Sequence, residues 1–229
     1  MYNSRKLRPM DLARPAAFFD LDRTLVPVNT GRLFVGHMRR RGEISLGRAL
    51  QAFGWLARYH FALLDIPAVA NRVVSVLRGQ REDEFAEMCQ RWVEDTVLPR
   101  LLPEGLRKIE SHRKQGQFLA ILSTSSAYVV GPVARSLGMD ASGSTQLEVE
   151  KGLFTGRLLG PPCYGVGKIH WAESLQAEHG LNLDESWFYT DSYTDLPMLE
   201  RVNHRVVVNP DPRLRRAART RGWAIQNWA

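Results

Sequence analysis

The spacing of hydrophobic positions along the chain changes twice. Ala16-Ala17-Phe18-Phe19 is a continuous apolar run, short enough to read as a strand buried on both faces. From about residue 28 to residue 97 the period turns helical. Leu46, Ala49, Leu50, Phe53, Ala57, His60, Phe61 and Leu64 approximate one helix face, and Phe85, Met88, Cys89, Trp92, Val93 and Thr96 keep that spacing more cleanly. Shorter helical patterns cover about 32–40 and 68–77, and Pro99 and Pro103 punctuate the return. Beyond them strands and helices alternate. Leu106, Ile109 and Arg113 predict a helix stopped by Gly116; Phe118–Leu122 is a second buried strand; Tyr128–Leu137 predicts a helix stopped by Gly138. Thr145–Leu159 alternates around Lys151-Gly152, as a hairpin does. Ile169–His179 predicts a helix stopped by Gly180. Trp187–Tyr189 and Arg205–Val208 predict strands, with helices from about Leu196 and over 212–221.

Alternating strands and helices imply an α/β fold, a mostly parallel sheet with helices on both faces. The expected organisation is a tail over 1–14, a core built from 15–27 and 98–229, and an all-helical insert over 28–97. At 229 residues, with 44% hydrophobic and 24% charged positions, the chain can bury a sizeable core. Cys89 and Cys163 lie far apart without zinc-type spacing, as expected of a cytoplasmic protein. No run of 18 apolar residues occurs, because Arg58, His60 and Asp65 break the most apolar region, so no membrane insertion is expected. The net charge of +7 favours anionic ligands. Arg39-Arg40-Arg41 and the arginines at 213, 215, 216, 219 and 221 supply much of it, without the interleaved aromatics that stack nucleic-acid bases.

The chemistry gathers at strand ends, where open α/β sheets bind ligands. The first strand runs into Asp20-Leu21-Asp22-Arg23-Thr24-Leu25, the second into Ser123-Thr124-Ser125-Ser126, and the strand 187–189 into Thr190-Asp191-Ser192-Tyr193-Thr194-Asp195. Lys168 stands at a helix start after Gly165-Val166-Gly167. Parallel strands would bring these termini to one rim. Carboxylates suit a hard divalent cation, and Mg²⁺ typically takes one or two of them together with waters and phosphate oxygens. A hydroxyl and an ammonium suit the remaining phosphate oxygens. A carboxylate nucleophile can split phosphate-ester hydrolysis into two steps, with a second acid serving the leaving oxygen and then water.

With these motifs in order, the chain resembles the haloacid dehalogenase superfamily of Mg²⁺-dependent phosphohydrolases, in its phosphoserine-phosphatase-like branch. Asp20-Leu21-Asp22-Arg23-Thr24 matches the DxDxT loop, Ser123 the second-motif Ser/Thr, Lys168 the third-motif lysine, and Asp191 with Asp195 the acidic fourth motif. The resemblance implies a Rossmann-like core with a helical cap over 28–97. It implies Asp20 as nucleophile and metal ligand, and Asp22 as general acid/base that ligates metal through its carbonyl. Thr24, Ser123 and Lys168 would serve the phosphate, Asp191 would bind Mg²⁺, and Asp195 would stand behind the metal or on its water. The implied substrate is a small phosphate ester. Asn29, Thr124, Ser125 and Thr194 differ from the branch's phosphoserine-specific residues, with Asn29 and Thr124 at the matching substrate positions, so the expected substrate is not phosphoserine. Phe34, Trp55, Tyr59 and Phe61, with Arg39, Arg40, Arg41 and Arg58, would fit a larger apolar ester or would form the cap's own core. A phosphotransferase using a non-water acceptor, or a basic module binding nucleic acid or anionic membrane, stands as the alternative.

Overall fold

The computed structural model describes residues 13–42, 47 and 74–228. Strand β1 (Arg14–Phe19) is followed by helix α1 (Thr30–Arg40), a 3₁₀ turn at Ser75–Leu77 and helix α2 (Glu82–Trp92). A π turn (Val93–Val97) and a 3₁₀ turn (Leu98–Arg100) lead to α3 (Pro103–Lys114), β2 (Phe118–Ser126) and α4 (Ala127–Ser136). Then come β3 (Ala141–Thr145), β4 (Leu147–Glu150), β5 (Leu153–Leu158), α5 (Val166–His179) and β6 (Leu181–Thr190). A 3₁₀ turn (Tyr193–Asp195), α6 (Leu196–Arg201), β7 (His204–Val208), α7 (Pro212–Arg221) and β8 (Ile225–Gln226) complete the order.

Six strands form one sheet in the order β3-β2-β1-β6-β7-β8, and every neighbouring pair is parallel. The fold is α/β, as the alternation of elements predicts. β1 is central, and its unbroken apolar run follows from that position. Ala17 and Phe19 pack into one core with Leu119, Ile121 and Val130, while Ala16 and Phe18 pack into a second with Ala120, Leu122 and Phe188. Alternate residues of a strand point to opposite faces, so a strand covered on both sides needs apolar residues throughout. Register sets the level of the strand ends. Phe19 lies opposite both Ile121 and Tyr189. Asp20, Ser123 and Asp191 therefore follow within two residues of one level.

β4 and β5 form the expected hairpin, turned by Lys151 and Gly152, both at positive φ. The hairpin packs on α2 through Phe85, Cys89, Leu147 and Phe154. Phe34 of α1 meets Phe85 and Trp92 edge-on at 6.0 and 5.1 Å. Both elements of the 28–97 stretch with a full described helix, α1 and α2, are helical where the periodicity puts them. The predicted face from Leu46 to Leu64, most of 68–77, and Trp55, Arg58, Tyr59 and Phe61 lie outside the described residues.

The structure differs from the sequence reading in four places, one of them the short edge strand β8 after α7, which the periodicity does not predict. β2 continues through the hydroxyl run to Ser126, pairing with β3 across a bulge at Ser123/Ser126. Periodicity predicts no strand at β3, because Ala-Ser-Gly-Ser-Thr has no large apolar residue. Its burial comes from neighbours: a Cβ on Gly143 would lie 2.6 Å from Leu122 and 2.8 Å from Trp171. β6 begins six residues early, at Leu181, because Leu181 and Leu183 turn into the core while Asn182, Asp184 and Glu185 face outward.

Gly167 occupies the tightest glycine position next to the chemistry. A Cβ there would lie 2.0 Å from the carbonyl oxygen of Pro162, a backbone atom that cannot swing aside. Gly167→Ala is expected to cost roughly 1–3 kcal/mol, typical of overpacking, and to displace Lys168, the next residue. A urea midpoint equal to that of the unsubstituted protein would contradict this packing.

Candidate active site

The β1 end is built by local hydrogen bonds. After Phe19 the chain turns so that the amides of Leu25 and Val26 both donate to the carbonyl of Leu21, at 2.9 and 3.1 Å. Arg23 takes φ +57 inside this turn, a left-handed conformation that only a few per cent of non-glycine residues adopt. Leu21, Leu25 and Val26 anchor the loop in the core. Asp20 is left at the rim, 6% exposed, with its own amide donating to the carbonyl of Tyr189 at 2.9 Å.

Lys168 reaches this point from the first turn of α5 and is 1% exposed. Its Nζ donates to Asp20 Oδ1 and to Asp195 Oδ2, both at 2.6 Å. The Oδ2 of Asp195 also accepts from the hydroxyl of Thr190 at 2.6 Å. An ammonium buried at a helix N-terminus is unfavourable by itself. Two carboxylates 2.6 Å away reverse the balance: burial lowers the lysine's proton affinity, while Asp195 and Asp20 raise it above the usual lysine range. Lys168 is thus a fixed positive charge.

Asp22 is held apart from this pair. Its Oδ2 accepts from Asn29 Nδ2 at 2.8 Å and its Oδ1 from the amide of Thr30 at 3.0 Å. Asn29 caps α1 at the same time, its Oδ1 accepting from the Arg32 amide at 2.9 Å. The Thr30 hydroxyl meets Ser125 Oγ at 2.8 Å, joining α1 to the end of β2. Ser123 is buried, and its Oγ accepts from the Ser125 amide at 3.2 Å. Thr124 directs its hydroxyl to the Cys163 carbonyl at 3.2 Å, toward the strand-connecting loop. Thr24 is fully buried, with its hydroxyl unpartnered among the described residues; its position is one of loop packing. Asp191 is 4% exposed at the end of β6.

The structure thus brings Asp20, Lys168 and Asp195 into one hydrogen-bonded chain, with Asp22, Asn29, Thr30 and Ser125 in a second beside it. Thr190, Thr30, Asn209 and Asp211 support these groups and were not assigned roles from sequence. A threonine that ends a strand or follows an N-cap asparagine is common in any fold, so only the contacts reveal it.

Burial raises Asp20, Asp22 and Asp191 above the usual carboxylate range; for Asp191 the charges of Asp20 and Asp195 add to the effect, while for Asp20 the ammonium of Lys168 opposes it. Buried acids in this state are short of positive charge, the condition that a divalent cation relieves. Among the described residues no three Asp, Glu, His or Cys side chains form a ready-made metal cage.

Comparison with known proteins agrees with this geometry. The haloacid dehalogenase-like hydrolase family matches residues 17–200, which include every residue of both hydrogen-bonded chains. The chain belongs to that family. As a member it is an enzyme, a phosphoric monoester hydrolase. It is 33% identical over 228 residues to phosphoserine phosphatase SerB1 of Mycobacterium tuberculosis, covering 96% of this chain and 72% of that protein. It is 29% identical over 217 residues to a histidinol-phosphatase of Neisseria meningitidis, covering 93% of this chain and 98% of that protein. A solved structure of unknown function from Bordetella pertussis superimposes with a TM-score of 0.86 at 29% identity, covering 95% of this chain and all of that one. Among the described residues of this hydrolase no helix is long and apolar enough to cross a membrane.

Proposed function

We propose that this family member is a Mg²⁺-dependent phosphatase that hydrolyses a small-molecule phosphate monoester other than phosphoserine through a phosphorylated Asp20. The observation that carries the reading is Lys168 fixed between Asp20 and Asp195. Lys168 occupies Oδ1 of Asp20, which orients the carboxylate and leaves Oδ2 as the nucleophile. Asp20 attacks phosphorus and the ester P–O bond breaks. The leaving oxygen takes a proton from Asp22, whose orientation is set by Asn29 and Thr30. Water then attacks the aspartyl-phosphate, Asp22 accepts its proton, and inorganic phosphate leaves. Asp20, the Asp22 carbonyl and Asp191 would hold Mg²⁺, which when bound supplies charge neutralisation for the transferring phosphoryl group. Ser123 and Lys168 would take the remaining phosphate oxygens, and residues 28–97 would form the inserted cap.

The substrate reading rests on Asn29 and Ser125. The Asn29 amide is spent on Asp22 and on the α1 cap, and it carries no charge to meet a substrate ammonium. Ser125 places a hydroxyl, bonded to Thr30, beside Ser123. Phe34 is committed to Phe85 and Trp92, which favours packing over substrate contact for that aromatic. The test is phosphate release from a panel holding an aryl phosphate, phosphoserine, histidinol phosphate and sugar phosphates, with Mg²⁺ or with chelator. Turnover is expected with Mg²⁺ only, with phosphoserine among the poorer substrates. Release from none of the esters would overturn the phosphatase reading, and a preference for phosphoserine would overturn the substrate reading alone.

A further inference from the structure

The connection between β7 and α7 is three residues long, Asn209-Pro210-Asp211, and it touches both acidic loops. Asn209 sits at φ +42, a left-handed conformation that asparagine tolerates better than most residues. Its Nδ2 donates to the Arg23 carbonyl at 3.3 Å, and its Oδ1 accepts from the Trp228 amide at 2.8 Å. Asp211 makes the stronger contacts. Its amide donates to the Asp191 carbonyl at 2.9 Å, its Oδ2 accepts from the Tyr193 amide at 2.7 Å, and its Oδ1 accepts from the Leu214 amide at 2.8 Å. Arg213, the second residue of α7, lays its guanidinium 4.3 Å from the centre of the Tyr193 ring.

A helix cap needs one acceptor, and Ser, Asn and Asp supply it about equally well. Asp211 uses one oxygen on the cap of α7. Its second oxygen and its amide go to the loop that carries Asp191, gripping that loop on both sides of Ser192. Within the loop the Ser192 amide donates to Thr190 Oγ1 at 3.2 Å and the Asp195 amide to the Ser192 carbonyl at 3.1 Å, while Lys168 of α5 holds the far end at Asp195. Asp211 ties the backbone of Asp191 and Tyr193 to the start of α7.

We propose that Asp211 is a positioning residue that sets the affinity of the Asp191 loop for the divalent cation. The inference rests on the Mg²⁺-dependent reading above. Groups that orient a metal ligand without touching the metal typically change affinity 10–100-fold when removed. Asp211→Ser and Asp211→Asn each keep a side-chain oxygen for the Leu214 amide and lose the second acceptor that holds Tyr193. The experiment titrates Mg²⁺ calorimetrically into the full-length protein and both variants, well below their melting midpoints, with metal-free thermal melts run alongside. The unsubstituted protein is expected to bind Mg²⁺, and both variants to bind about 10–100-fold more weakly with unchanged metal-free midpoints. Variant affinities equal to that of the unsubstituted protein would overturn the proposal. So would variants that fail to fold, since Asp211 would then serve the fold and not the loop. Absence of Mg²⁺ binding by the unsubstituted protein would instead sink the Mg²⁺ reading itself, and this inference with it.

Discussion

Asp20→Asn is expected to lower phosphate release by about 10⁴-fold or more, the scale seen when a covalent nucleophile is removed, while the protein stays folded. The substitution keeps the shape of the side chain and an oxygen for Lys168, so the 2.6 Å contact can persist. What disappears is the anionic oxygen that attacks phosphorus. Burial disfavours the charge on Asp20 while Lys168 favours it, and Lys168 keeps Asp195 as a partner, so the melting midpoint should move little. Steady-state kinetics with an aryl phosphate, paired with a thermal melt, separates the two effects. Activity within tenfold of the unsubstituted enzyme would remove Asp20 from the chemistry. A collapse of the melting midpoint would show that the side chain is needed for folding first.

The second large effect belongs to Lys168. Replacing it by Met preserves most of its volume but leaves Asp20 and Asp195 buried, at 6% and 2% exposure, without their shared cation. Breaking a buried ion pair from one side costs about 3–5 kcal/mol, since the remaining charge keeps its desolvation penalty. The loss should depend on pH. Without the ammonium, the folded-state proton affinity of Asp20, already raised by burial, rises further above the unfolded value of about 3.9. Over the interval between those values the folded state binds more protons than the unfolded chain, so stability falls as pH rises through it. The deficit of Lys168→Met should therefore be largest near pH 8 and shrink toward pH 5, where Asp20 protonates. Urea midpoints at the two pH values check this, and a deficit of equal size at both would refute the charge-pair account. Activity should fall by about 10²–10³-fold or more through loss of a fixed charge at the developing phosphoryl centre.

These effects trace to residues that the sequence made visible to different degrees. Asp20, Ser123, Lys168, Asp191 and Asp195 were legible because each follows a strand of large apolar residues or a glycine-led helix start, so motif and element agree in placing them. The helix stops at Gly116, Gly138 and Gly180 were legible for a local reason: all three take positive φ, which favours glycine, and Gly180 holds a left-handed C-cap. β3 was not, because a strand of small residues owes its place to Leu122 and Trp171, residues far from it in sequence. The support given by Asp211 and Asn209 was hidden for a similar reason. Their partners are main-chain atoms of Tyr193, Asp191 and Arg23, and a backbone atom leaves no trace in the pattern of side chains. The position of Asn29 after the acidic loop points toward substrate, and its contacts join it to Asp22 and to the start of α1.

The central claim is that Asp20 becomes transiently phosphorylated. Quenching the enzyme during turnover with borohydride, which reduces an acyl phosphate to the alcohol, and mapping its peptides by mass spectrometry tests this at the residue itself. The account predicts homoserine at position 20, formed only when substrate and Mg²⁺ are both present and absent from Asp20→Asn. Reduction at another acidic residue, or none during demonstrated turnover, would contradict it.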